Sequence, residues 1–127
     1  MTKTQHPKVL IVEDDSQVQG GIVRAFEKIG FDVVVSNEGM EGIVQTVEMK
    51  PDVVVLDLLM PQVDGYEYIS AIRKSSNMKI PIVIYSNLSD SGSVQKALGL
   101  GAKAYFKKVE CPPKELAEKV SVLIEKK

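Results

Sequence analysis

A chain of 127 residues, 44% hydrophobic and 26% charged, has the balance of one globular domain and apolar material for one core. Its formal net charge of -1 comes from interspersed acids and bases, which argues against direct nucleic-acid binding or attachment to an anionic membrane. No apolar stretch is long enough to cross a bilayer, Met1 to Lys8 lacks the apolar core of a signal peptide, and the single cysteine, Cys111, cannot form an internal disulfide; a soluble cytoplasmic protein is expected.

In chain order, the only histidine, His6, falls in the polar leader, where a tail residue is expected rather than a metal ligand. Val9 to Val12 is the first β-branched run and reads as a strand; Glu13-Asp14-Asp15 follows it at once. Val18, Ile22, Phe26 and Ile29 then recur with helical spacing, Asp15 or Ser16 suits the N-cap, and Gly30 closes the helix. Gly20-Gly21 inside that helix costs about 1 kcal/mol per glycine relative to alanine, so this turn is expected to fray early. Val33 to Val35 is the second strand. Met40, Ile43, Val44 and Val47 form the second helical stripe, which Pro51 stops.

Val53 to Leu56 is the third strand, and Asp57 ends it. Tyr66, Ile69 and Ile72 mark the third helix. Ile80 to Tyr85, with Pro81 near its start, is the fourth strand, and Ser86 ends it. Val94, Ala97 and Leu98 form a short fourth stripe before Gly101. Ala104 to Phe106 is a weaker fifth strand that ends at Lys108. Pro112-Pro113 precedes the last stripe, Leu116, Val120, Leu123 and Ile124, because proline is tolerated in a first helical turn. Each stripe reads as core packing.

The strand runs do not alternate apolar with polar residues, which points to strands buried on both faces of a parallel sheet. Strand and helix alternate five times, and right-handed helical crossovers then produce one doubly wound α/β domain. Two strand orders satisfy that pattern. In both, sites lie outside the carboxyl ends of the strands.

Those ends carry the polar residues. If the first and third strands are neighbours, Glu13, Asp14 and Asp57 converge and repel unless a cation intervenes, and several oxygen ligands suit Mg²⁺. Helix capping explains Asp15 or Ser16 but not Asp57, an acid closing a strongly apolar strand, where a lone buried charge would be costly. Ser86 and Lys108 belong at the same rim. Acids, a hydroxyl, a lysine and a metal make a site where an aspartate can act as nucleophile toward a phosphoryl group.

The run Val9-Leu-Ile-Val-Glu-Asp-Asp, the segment Pro51-Asp-Val-Val-Val-Leu-Asp-Leu-Leu-Met-Pro61, the turn Asp64-Gly65, Ser86, and Gly101-Ala102 through Lys108 resemble the receiver domain of two-component signalling (CheY-like). The match covers nearly the whole chain. It implies a flavodoxin-like sheet in the order 2-1-3-4-5 with five helices, a single receiver unit over 1–127, and no effector domain. It implies that Asp57 accepts phosphate, that Glu13, Asp14, Asp57 and the carbonyl of Leu59 hold Mg²⁺, that Lys108 pairs with the phosphate and Ser86 hydrogen-bonds it, and that Tyr105 turns inward with Ser86. Pro61 and Gly65 shape the loop.

Implied partners are a sensor histidine kinase or histidine phosphotransfer protein, and a downstream protein target on the face of helix 4, strand 5 and helix 5. The resemblance also implies a monomer or a phosphorylation-dependent dimer that catalyses only its own phosphorylation and dephosphorylation. Lys107 adjoins Lys108; counting from Gly101 selects Lys108.

Three departures stand out. Val109 replaces the proline usual after the lysine, and a cis bond there would cost about 3 kcal/mol, so a trans bond and a rearranged, longer loop are expected. Asn87 stands where a small residue is common. Leu59 and Leu88 occupy positions from which a polar side chain could orient an attacking water, so slow self-hydrolysis is expected.

The rivals fare less well. A phosphate-independent interaction module would not need the full set of acids, serine and lysine, a flavin module would not place three acids in its first loop, and a nicotinamide enzyme would need a G-x-G-x-x-G turn there. An aspartate-based phosphatase would usually carry a second acid where Leu59 stands. A receiver portion of a DNA-binding regulator remains open.

Overall fold

The computed structural model describes residues 6–60, 62–75, 79–88 and 90–125; the role expected for Pro61 lies outside them. The order is β1 (Lys8–Val12), α1 (Ser16–Lys28), β2 (Asp32–Ser36), α2 (Gly39–Met49), β3 (Val53–Leu56), α3 (Gly65–Ser75), β4 (Ile82–Ser86), α4 (Ser91–Leu100), β5 (Ala104–Lys107) and α5 (Pro113–Glu125). The strands form one five-stranded sheet ordered β2-β1-β3-β4-β5, with every neighbouring pair parallel. This is the flavodoxin-like, CheY-like arrangement.

Alternate residues of each strand point to opposite faces, and both faces are covered. Val9, Ile11, Val53, Val55, Val83 and Tyr85 pack with Ile22 and Phe26 of α1 and Leu116 and Val120 of α5. Leu10, Val12, Val54, Leu56, Ile82 and Ile84 pack on the other side with Tyr68, Ile69 and Ile72 of α3 and Ala97 of α4. Two buried faces explain strands without polar alternation.

The helix ends follow local chemistry. Asp15, not Ser16, is the α1 cap: its Oδ1 accepts from the N–H of Gln17 at 2.9 Å and of Val18 at 3.2 Å. Pro113 is the first residue of α5, and Gly101 closes α4 at φ +119°, a conformation that favours glycine. Helix α1 runs unbroken through Gly20-Gly21.

Strand β4 begins at Ile82, later than Ile80, because Pro81 has no N–H to donate; its carbonyl still accepts from Val54 N at 3.0 Å. The α2 stripe is the larger surprise. Met40, Val44 and Val47 are 55%, 47% and 37% exposed, and the buried face is Gly39, Gly42 and Thr46. A Cβ on Gly42 would lie 3.0 Å from Val12 Cγ2, so small residues let the helix approach the sheet; Met40, Val44 and Val47 turn outward, and Ile43 alone of the stripe packs against the core. Thr46 is buried with its hydroxyl bonded to the Gly42 carbonyl and to the Tyr68 hydroxyl. Among the described residues no helix is long and apolar enough to cross a membrane.

Candidate phosphoacceptor cleft

Three polar residues each stand one position past a strand and remain tied to the neighbouring strand. Glu13 N donates to Ser36 O at 3.1 Å, Asp57 N to Val12 O at 3.1 Å, and Lys108 N to Ser86 O at 3.0 Å. Parallel strands bring these ends to one edge, so residues far apart in sequence share a cleft.

Within it, carboxylate oxygens of Glu13, Asp14 and Asp57 lie within 4.8 Å of one another. Glu13 and Asp57 are buried, while Asp14 is exposed. Of the two adjacent lysines, it is Lys108 that reaches them: its ammonium donates to Glu13 Oε1 at 2.8 Å and to Asp57 Oδ2 at 3.2 Å. Asp57 Oδ1 accepts from Leu59 N at 3.2 Å, and Glu13 Oε2 accepts from Asp15 N at 3.1 Å. Gly65 lets this loop fold back tightly, since a Cβ there would lie 2.7 Å from Leu58 Cα.

Burial, with the charge of Asp57 added, raises the Glu13 carboxyl above its ordinary range despite the hydrogen bond from Lys108. Burial alone would lower the Lys108 ammonium, but the hydrogen bonds and charges of Glu13 and Asp57 together raise it. The lysine therefore stays charged, and one ammonium faces three carboxyl groups. An all-oxygen donor set with excess negative charge fits a hard divalent cation such as Mg²⁺. Leu59, whose carbonyl is the expected fourth ligand, is held to the same carboxylate through its N–H.

The two expected switch residues lie on the rim. Ser86 is fully buried and its Oγ accepts from Leu88 N at 3.3 Å. Tyr105 is half-buried, and its hydroxyl donates to the Leu88 carbonyl at 2.6 Å. Leu88 thus joins Ser86 to Tyr105. Asn87 is exposed beside them.

The family model described as the response regulator receiver domain matches residues 9–121. The chain belongs to that family. Over 117 residues the receiver domain is 35% identical to a "Probable transcriptional regulator ycf27" of Guillardia theta, covering 92% of this chain and 45% of that protein. It is 34% identical over 120 residues to "Transcriptional regulatory protein PrrA" of Mycobacterium tuberculosis, covering 94% of this chain and 49% of that protein. The chain thus spans about half the length of these curated relatives. A solved Francisella response regulator 1452 receiver domain superposes with TM-score 0.87 at 31% identity, covering 94% of this chain and 98% of that one.

In this receiver domain the Lys108–Val109 bond is trans, as expected, and Val109 is 80% exposed. Cys111 is buried, and burial followed by the charge of Glu115 raises its thiol pKa, which disfavours the reactive thiolate.

Sequence reasoning missed Gln19. Its side-chain amide donates to the Glu13 carbonyl and, at 2.6 Å, to Asn37 Oδ1. A signal existed: helical side chains lean toward the helix N-terminus, and Gln19 lies one turn after the capping Asp15.

Proposed function

We propose that this receiver domain is the phosphoacceptor of a two-component phosphorelay. Asp57 takes a phosphoryl group from a phosphohistidine of a sensor kinase or histidine phosphotransfer protein. The observation that carries this reading is the Asp57 carboxylate beside Glu13 and Asp14, held from one side by the Lys108 ammonium and from the other by Leu59 N–H.

A carboxylate oxygen of Asp57 attacks phosphorus, the phosphorus–nitrogen bond breaks, and its electron pair returns to the imidazole, leaving an acyl phosphate. Glu13, Asp14, Asp57 and the Leu59 carbonyl would hold Mg²⁺, which when bound offsets negative charge on the phosphoryl oxygens. Lys108 exchanges its contact with Asp57 for one with the phosphate, whose oxygens are the stronger acceptors. The Ser86 hydroxyl donates to another oxygen. The domain turns over no separate substrate; it catalyses the gain and loss of its own phosphate.

The switch is read through Leu88. A Ser86 hydroxyl drawn toward phosphate moves the loop to which Tyr105 is bonded, so Tyr105 repositions and the surface of α4, β5 and α5 changes population. That surface carries the exposed apolar residues Leu98 and Val122 and suits a protein target. The relatives named as transcriptional regulators are about twice as long; direct nucleic-acid contact is not assigned to this domain, whose net charge is -1. The domain acts as a monomer or as a dimer formed on phosphorylation. The side chains of Leu59 and Leu88 offer no polar group to an attacking water, so the aspartyl phosphate is expected to be long-lived.

The test is intact mass after incubation with acetyl phosphate and Mg²⁺. One phosphoryl group is expected on the wild type and none on Asp57→Asn; a wild type that gains nothing overturns the reading.

A further inference from the structure

Glu13 supplies a carboxylate to the cleft, and its backbone carbonyl belongs to the peptide unit that joins it to Asp14. The orientation of that single peptide plane therefore sets how the two acids are spaced. On one side Glu13 N is fixed to Ser36 O at 3.1 Å. Its carbonyl accepts from Gln19 Nε2, and the same nitrogen donates to Asn37 Oδ1 at 2.6 Å. A carbonyl can only accept, so the Gln19 amide must turn its NH₂ toward Glu13, and its two hydrogens match two acceptors. Asn37 is itself anchored, with its N–H donating to Glu41 Oε1 at 3.3 Å in the first turn of α2.

We propose that Gln19 is a positioning residue for the phosphoryl-transfer site: it clamps the Glu13–Asp14 peptide to the β2–α2 loop and so presets the two acids for a divalent cation. The inference rests on the phosphoacceptor reading above. Gln19 touches neither cation nor phosphate. Its effect runs through backbone geometry, as with outer-shell partners of metal ligands, whose loss typically weakens metal affinity about 10- to 100-fold.

The experiment compares the wild type with Gln19→Met, which keeps length and packing but removes both donors, and with Asn37→Ala, which removes the outer anchor. Mg²⁺ is titrated directly by amide chemical shifts of the acidic loop, without a phosphodonor. Phosphorylation by acetyl phosphate is then followed as a function of Mg²⁺. For Gln19→Met the expected result is a Mg²⁺ Kd raised about 10-fold. The half-saturating Mg²⁺ for phosphorylation rises in step, and the maximal rate stays within about twofold, as loss of metal positioning alone requires. Asn37→Ala shifts Kd in the same direction by a smaller factor. A Mg²⁺ Kd unchanged in both variants overturns the role of Gln19, and so does a fall in maximal rate with Kd unchanged. If Gln19→Met does not fold, the Kd of Asn37→Ala decides alone. A wild type that binds Mg²⁺ but takes no phosphate defeats the phosphoacceptor reading and leaves the Gln19 clamp to be judged by Kd.

Discussion

Two of the places where this domain buries polar side chains are built on opposite terms. Between α2 and α3, Thr46 and Tyr68 meet hydroxyl to hydroxyl, and Thr46 also donates to the Gly42 carbonyl. Both groups are neutral, and each has a partner. Burial raises the Tyr68 phenol, so it stays protonated. At the carboxyl edge of the sheet, Glu13 and Asp57 are equally removed from solvent, but one lysine serves both and Asp14 stands beside them. The first arrangement is closed and serves packing. The second leaves negative charge uncompensated, which suits the cation and phosphoryl group proposed for it.

The contrast can be broken by substitution. Lys108→Met should be the most damaging, because it leaves two buried carboxylates without their common partner; a loss of about 3 kcal/mol is expected in urea unfolding. Phosphorylation should fall with it, and a variant as stable as wild type would show that the cleft is not electrostatically loaded. Thr46→Val strands the Tyr68 hydroxyl and should cost about 2 kcal/mol while leaving phosphorylation rates unchanged. A change in those rates would mean the closed pair also serves the site.

Asp57→Asn works the other way. Removing one carboxylate from a crowded set should raise stability by about 1 kcal/mol while abolishing phosphate uptake. A destabilised Asp57→Asn protein would contradict the charge excess. A separate effect is confined to alkaline pH. Burial first, then the nearby Cys111 and Glu13, push the Tyr85 phenol up from 10.0 to about 12. The folded state therefore holds that proton more tightly than the unfolded chain. The associated stability is complete below pH 10 and is lost as pH climbs toward 12, at up to about 1.4 kcal/mol per pH unit. Lys108, also raised, adds loss in the same direction. Tyr85→Phe removes the hydroxyl that donates to Cys111 O at 2.6 Å and should flatten the fall; an unchanged slope would assign it elsewhere.

Much of this was legible in the chain alone. Val9 to Val12, Val53 to Leu56 and Ile80 to Tyr85 reveal buried strands, the last starting two residues late at Ile82, because a parallel strand covered on both faces has no place for polar residues. Asp57 stands out because a carboxylate at the end of such a run needs a reason. Capping residues, Gly30, Gly101 and Pro113 mark helix ends through backbone chemistry that acts locally. What the chain could not disclose depends on distance in space. Met40, Val44 and Val47 have the spacing of a core stripe, yet Gly42 and Thr46 face the sheet, since only contact with Val12 and Tyr68 decides which side approaches.

Local sequence, then, determined the elements, their order and the acids at the strand ends, because periodicity, caps and turns act over a few residues. Tertiary structure alone decided which face of α2 is buried and that Gln19 grips the acidic loop. Each is set by the spacing of neighbouring strands and the lean of a side chain across a cleft, which no stretch of sequence contains.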